Sequence, residues 1–143
     1  MDDRQRSAVR RFPYAGDVVD VLGESEQIGF CEFTVPAHFA GPPPHIHDDF
    51  DEAFYVLDGE LTMVLDRSES TLVTAGGLIH APKGRRHTYA NPHDTPARVL
   101  GVLSPGLGLH FLEDIGAALP ATGAPDPELL ADIYRRHNGR IVP

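Results

Sequence analysis

Two histidines separated by one residue are the first sign of chemistry in this chain. The segment Gly41-Pro42-Pro43-Pro44-His45-Ile46-His47-Asp48-Asp49-Phe50-Asp51-Glu52 concentrates imidazoles and carboxylates behind a run of prolines. On an extended strand, residues i and i+2 point to one face, roughly 6–7 Å apart. His45 and His47 can therefore aim both rings at one point, and the preceding prolines favour an extended, stiff approach. Glu52 stands five residues past His47, where an unbroken strand would place it on the opposite face. The polar run 48–51 reads as a turn, after which Glu52 can start a returning strand and rejoin the histidines. A further donor, His87, follows the turn signal Pro82-Lys83-Gly84 and begins another strand. Three imidazoles and one carboxylate make an N3O donor set suited to one divalent first-row transition metal ion: Fe, Mn, Ni, Co, Cu or Zn. Four such ligands would saturate a tetrahedral zinc site. An ion that takes five or six ligands would keep positions open for water, dioxygen or a chelating small molecule.

The elements that must carry these donors read as short strands. Apolar segments broken by Gly, Pro, Asn and Asp fall at 17–22, 28–35, 52–57, 61–65, 70–73, 78–81, 87–90 and 97–103. Asp58-Gly59 is a hairpin signal, because a tight two-residue turn needs positive φ. This spacing predicts an all-β sandwich or jelly-roll barrel. Past Ser104-Pro105 the pattern changes. Leu107, Phe111, Leu112, Ile115 and Leu119 recur at helical spacing, and Pro120 stops them. A second helix has Asp126 as N-cap, Pro127 at its first position and Gly139 after its last turn, with Leu129, Leu130, Ile133 and Tyr134 as its apolar side. The expected organisation is a single domain over 1–143, a barrel over about 17–104 with two C-terminal helices over about 105–143 packed on it.

Composition narrows the function classes. The formal net charge is −9 and the basic pairs are short and scattered, which argues against nucleic acid as a partner. No run approaches the ~18 apolar residues of a membrane span, and Met1–Ser7 are too polar for a signal peptide. A cytoplasmic protein is expected. The single cysteine, Cys31, excludes an intrachain disulfide and reads as a buried inert thiol.

The two donor segments together resemble the cupin superfamily. His45-x-His47-x4-Glu52-x6-Gly59 matches its first motif. Gly76-x5-Pro82-x-Gly84-x2-His87-x3-Asn91 matches its second, with 16 residues between Gly59 and Gly76. Only three residues separate Gly41 from His45, fewer than is customary, and Gly77 stands where the family commonly has Asp. The resemblance implies a double-stranded β-helix whose interior metal is held by His45, His47, Glu52 and His87. Pro-Pro-Pro-His-Ile-His, followed by Asp-Glu-Ala-Phe-Tyr-Val-Leu-Asp-Gly-Glu, is similar to bacterial single-domain cupins of the quercetin-dioxygenase type. That implies a metal-dependent dioxygenase acting on an enol- or phenol-like small molecule, with Glu52 as catalytic base. A non-redox isomerase or lyase and a non-enzymatic small-molecule-binding cupin are the alternatives. The resemblance also implies a homodimer in which N-terminal strands reach the partner, and Val9, Phe12 and Tyr14 are apolar enough to join such an interface.

The remaining candidates have plainer readings. Asp48, Asp49 and Asp51 are expected in a solvated loop, and Arg85 and Arg86 in a solvated turn. His80 is a surface or satisfied histidine; His38, His93, His110 and His137 have no partner spacing. Phe30, Phe33, Phe54 and Met63 read as core, as do Tyr55 and Tyr89, either of which could offer a hydroxyl to a ligand. The two helix stripes are core faces first and pocket lids second.

Overall fold

A computed structural model describes residues 8–143. The strands are β1 (Arg10–Tyr14), β2 (Asp17–Glu24), β3 (Gly29–Val35), β4 (His45–His47), β5 (Asp51–Asp58), β6 (Glu60–Leu65), β7 (Thr71–Thr74), β8 (Leu78–Ala81), β9 (His87–Ala90), β10 (Ala97–Ser104) and β11 (Gly139–Ile141). The helices α1 (Gly108–Ala118) and α2 (Pro127–Arg136) lie between β10 and β11. The strands form a six-stranded sheet, β1-β2-β3-β10-β5-β8, and a five-stranded sheet, β11-β4-β9-β6-β7. From β3 to β6 the chain alternates between the sheets, and it does so again from β8 to β10. That winding is the double-stranded β-helix, and all its pairings are antiparallel.

Period-two patterning makes the interior. Along β5, Glu52, Phe54 and Val56 are buried while Asp51, Tyr55 and Leu57 are exposed. β3 and β10 bury alternate residues in the same way, including Cys31, Phe33, Val99 and Leu103. Tyr55 thus points outward and cannot serve an interior ligand. Phe30 is likewise partly exposed, whereas Phe33, Phe54 and Met63 are core.

Four features differ from the sequence reading. First, Asp58-Gly59 is a corner and not a hairpin: Gly59 has φ +83°, but β5 and β6 belong to different sheets. A Cβ at Gly59 would sit 2.7 Å from the Pro96 carbonyl oxygen, so close approach also demands glycine there. Second, a strand precedes residue 17. β1 pairs with β2 of its own chain and buries Phe12 and Tyr14 beneath α1, so these side chains are not free for a partner. Third, α2 has the expected Asp126 cap, whose carboxylate accepts from the Glu128 amide, but Leu129 is exposed. Fourth, Asn138 takes the left-handed position after α2 (φ +56°), and Gly139 begins β11. Among the described residues, no helix is long and apolar enough to cross a membrane.

Cys31 is fully buried, and desolvation, followed by the nearby Glu52 charge, pushes its thiol up to about 12. A raised folded-state value means stability that is complete below the ordinary 9.0 and lost as pH rises towards 12. The limit of that loss is on the order of 4 kcal/mol. Iodoacetamide is therefore expected to leave Cys31 unmodified at pH 8 until the protein is unfolded, as followed by intact mass. In Cys31→Ala the fall of the melting temperature between about pH 9 and 10, below the tyrosine range, should become shallower.

Candidate metal centre

β4 and β9 lie side by side in the smaller sheet, with His45 opposite His87. Glu52 comes from the other sheet, where β5 pairs it with Leu103 and Ala81. The polar run after His47 therefore carries the chain across the barrel to the facing sheet. His45, His47 and His87 offer one ring nitrogen each, all within 4.8 Å of one another, and each residue is at most 3% exposed. Glu52 is also buried, with its Oε2 3.4 Å from His47 Nε2. The four donors named from the sequence thus meet in one place.

Hydrogen bonding prepares these rings as ligands. His45 Nδ1–H donates to the Pro43 carbonyl at 2.8 Å, and His87 Nδ1–H donates to the Arg85 carbonyl at 3.0 Å. Each bond fixes a tautomer that leaves Nε2 with a free lone pair, the arrangement by which metal-binding imidazoles are oriented. Both nitrogens of His47 and Nε2 of His87 are buried without a hydrogen-bond partner. An unsatisfied buried polar atom costs about 1–3 kcal/mol, and several together are hard to explain unless another group satisfies them. The donor set and the orphaned nitrogens fit a transition metal ion.

Electrostatics agree with this. Burial, then the His87 and His47 rings, pushes His45 down to about 3, and burial also lowers His87. Neutral imidazole is the form that binds metal. For Glu52, burial alone would raise the carboxyl, but contact with His47 and the pull of all three imidazoles outweigh it and hold the group at about 2.

Neighbouring elements clamp these residues. The Gly84 amide donates to the His47 carbonyl at 2.7 Å, and the Lys83 amide donates to Asp51 Oδ1 at 2.7 Å. β11 pairs along β4, placing Gly139 opposite His47 and Ile141 opposite His45. Arg140 and Asn138 then reach Asp48 and Asp49. The acidic run is solvated as expected, with Asp48 and Asp51 exposed, and it is also tied to the turn after β8 and to the C-terminal strand. Arg85 pairs with Asp66, and Arg86 bonds the backbone carbonyls of Asp66 and Pro143, so neither faces the cluster. Gly41 has φ +85°, and a Cβ there would lie 1.8 Å from the Tyr89 carbonyl oxygen, so it meets the motif's demand for glycine despite its shorter gap. Asn91 is fully buried and donates to the carbonyls of Thr95 and Pro36, so it stitches loops together instead of facing the imidazoles.

Aromatic rings close the site. Phe50 stacks on His47 at 4.3 Å, Phe111 of α1 meets the same ring edge-on at 4.6 Å, and Tyr134 of α2 lies 4.8 Å from His45. His137 Nε2 lies 2.7 Å from Asp114 and joins the helices beside the site. A cavity of about 30 Å³ adjoins the imidazoles and is also lined by Tyr14, Phe54, Tyr89, Phe111 and Tyr134. That is room for about two waters. Phe111, Leu112 and Ile115 of α1 and Tyr134 of α2 line this cavity, and Tyr14 is a lining residue that sequence reasoning did not assign. Tyr89 was recognisable, since it follows His87 by two residues on one strand face.

An antiparallel double-stranded β-helix with a buried three-histidine cluster defines the class as a metal-site barrel. Residues 31–103 match the cupin domain family model, and the chain belongs to that family. The quercetin 2,3-dioxygenase of Bacillus subtilis is 37% identical over 73 residues, covering 50% of this chain and 21% of that protein. The chain thus spans about a fifth of that relative's length. Among solved structures, the polyketide cyclase RemF of Streptomyces resistomycificus superposes with TM-score 0.57 at 24% identity, covering 73% of this chain and 79% of that one. A sugar phosphate isomerase of the cupin superfamily from Silicibacter pomeroyi gives TM-score 0.59 at 22% identity, covering 72% and 75%. At these identities the structural likeness is one of fold.

Proposed function

We propose that the chain binds one divalent first-row transition metal ion on His45, His47, His87 and Glu52 and acts as a metal-dependent dioxygenase on an enol- or phenol-like small molecule. The observation that carries the metal is the set of buried imidazole nitrogens without partners. The similarity to quercetin 2,3-dioxygenase supports the reaction class. A bound ion would supply a Lewis acid and a template for an ionised substrate oxygen and for dioxygen. Glu52 supplies the base: its carboxylate oxygen accepts the proton of the substrate hydroxyl. The apolar and aromatic walls exclude water and strengthen the charge interactions inside. The cavity of about 30 Å³ is too small for a flavonol, so α1 and α2 must yield for a substrate of that size to enter. That size favours a second reading, non-redox isomerisation or lysis of a smaller molecule. Metal analysis followed by a dioxygen-consumption screen with vicinal hydroxy-carbonyl compounds separates the two. Consumption of substrate at the same rate without dioxygen overturns the dioxygenase reading.

The C-terminal strand gives a further expected outcome. Deleting residues 139–143 leaves every donor in place but removes the pairing of β11 along β4 and the Arg140–Asp48 pair. His45–His47 then keeps its register with His87 and the Gly84 bond to the His47 carbonyl. Backbone hydrogen bonds are worth about 0.5–1.5 kcal/mol each, so the loss should reach a few kcal/mol and metal affinity should fall. Equilibrium dialysis with the metal checks it, and unchanged affinity would show that β4 holds its geometry without the strap.

The homodimer is also proposed, but not through Phe12 and Tyr14. The outer face of the six-stranded sheet exposes Phe30, Tyr55, Leu57 and Leu78 and is the better candidate surface. Light scattering should give twice 15.6 kDa at micromolar concentration, and the single-chain mass would refute it.

A further inference from the structure

Two tyrosine hydroxyls face each other inside the barrel, one from each sheet. Tyr14 is on β1 and Tyr89 on β9, their oxygens lie 2.5 Å apart, and both side chains are buried. Tyr89 shares the inward face of β9 with His87, one rung along the strand, as Phe54 does with Glu52 on β5. Tyr14, Tyr89, Glu52 and the imidazoles of His45 and His47 line one cavity.

The pair has a proton to spare. A phenol donates once, so two phenols bring two donors, and their mutual hydrogen bond uses one. Among the described residues, the hydroxyl of the partner tyrosine is the one polar group in hydrogen-bonding contact with either oxygen. Buried donors are rarely left unsatisfied. The second O–H therefore has its acceptor in whatever fills the cavity.

We infer that the Tyr14–Tyr89 pair is a ligand-orienting site that donates one hydrogen bond to an acceptor atom, an anionic or carbonyl oxygen, of a small ligand held beside His45 and His47. It rests on the reading of this cavity as a metal site. It extends that reading by naming what the ligand must present: an acceptor directed at the tyrosines in addition to the atom directed at the metal. A ligand whose far side carries only hydrogens gains nothing from the pair.

The test uses the full chain loaded with Co(II). Azide, a small anion with an acceptor at its far end, and imidazole, whose far nitrogen is a donor, are titrated against the visible absorption of the cobalt. The double variant Tyr14→Phe/Tyr89→Phe removes both partners of a buried bond while keeping shape, a change that is often nearly neutral for stability. Expected are unchanged cobalt content, unchanged imidazole affinity, and azide affinity lower by about 10-fold, the size of one hydrogen bond to a charged acceptor. Unchanged azide affinity overturns the inference, as does an equal fall for azide and imidazole, which would mean that the pair only shapes the cavity. If the double variant does not fold, the single variants decide: at least one must weaken azide and spare imidazole, and failure of both overturns the inference. Should the unmodified cobalt protein bind neither probe, the inference is overturned; should the unmodified protein take up no cobalt, or His47→Ala keep its full cobalt, the metal-site reading itself fails.

Discussion

With His47 replaced by alanine, the purified protein is expected to carry only a small fraction of the transition metal found in the unmodified protein. His47 has both nitrogens buried without a satisfying hydrogen bond, Glu52 Oε2 standing 3.4 Å from Nε2; its ring packs against Phe50 and Phe111, and the Gly84 amide clasps its carbonyl. On the proposed ligand set, its loss would remove a direct bond to the ion. Outer-shell changes alone cost about 10–100-fold in metal affinity, so removal of a ligand should cost more. His87→Ala should behave likewise, because its Nε2 is also without a partner and its tautomer is fixed by the Arg85 carbonyl. The exposed His80 is the control: His80→Ala should keep full metal. The variants should still fold, since each removes one side chain while the backbone pairing of β4, β9 and β6 is kept. Elemental analysis of protein purified without chelator reads the result, with thermal melts to confirm folding. Full occupancy in either His47→Ala or His87→Ala would remove the ligand assignment.

What the sequence made legible here was what depends on local periodicity. His45 and His47 share a face because strands repeat every two residues, and the same rule puts Tyr89 behind His87 and Phe54 behind Glu52. The Pro127 start of α2 and its Asp126 cap were equally local. Pairing partners were not. Asp58-Gly59 reports a demand for positive φ, and a corner between sheets meets that demand as well as a hairpin does. β1 was hidden because Arg10-Arg11-Phe12-Pro13-Tyr14 alternates too briefly, and its apolar residues fit an interface as readily as the underside of α1. β11 has only three residues and gains its stability from pairing with β4. The packing of Phe111 and Tyr134 on the imidazoles depends on where the helices return, which no stripe of apolar residues specifies.

Glu52→Gln carries the largest expected effect on chemistry. Gln keeps an oxygen at the position of the carboxylate and nearly its shape, but it cannot accept a proton from a substrate hydroxyl. Some metal should therefore remain on the three histidines while turnover falls by about 10²–10⁴-fold, the usual contribution of one positioned base. The geometry supports this division of labour. Among the described residues Glu52 is the one carboxylate lining the cavity, it reaches the cluster from the sheet opposite the histidines, and its contact with His47 holds it below the usual carboxylate range against the cost of burial. Glu52→Ala separates the two duties further, since it removes both ligand and base and should lower metal content more than Glu52→Gln does. The measurement is substrate loss and dioxygen uptake at matched metal content, with a vicinal hydroxy-carbonyl compound as substrate. Dioxygen uptake that matches substrate loss in the unmodified protein, and collapses with it in Glu52→Gln, is the expected result. Equal rates for Glu52→Gln and the unmodified protein would remove Glu52 as the base and leave it a metal ligand. Binding of such a compound without turnover in the unmodified, metal-loaded protein would move the chain from enzyme to small-molecule-binding cupin.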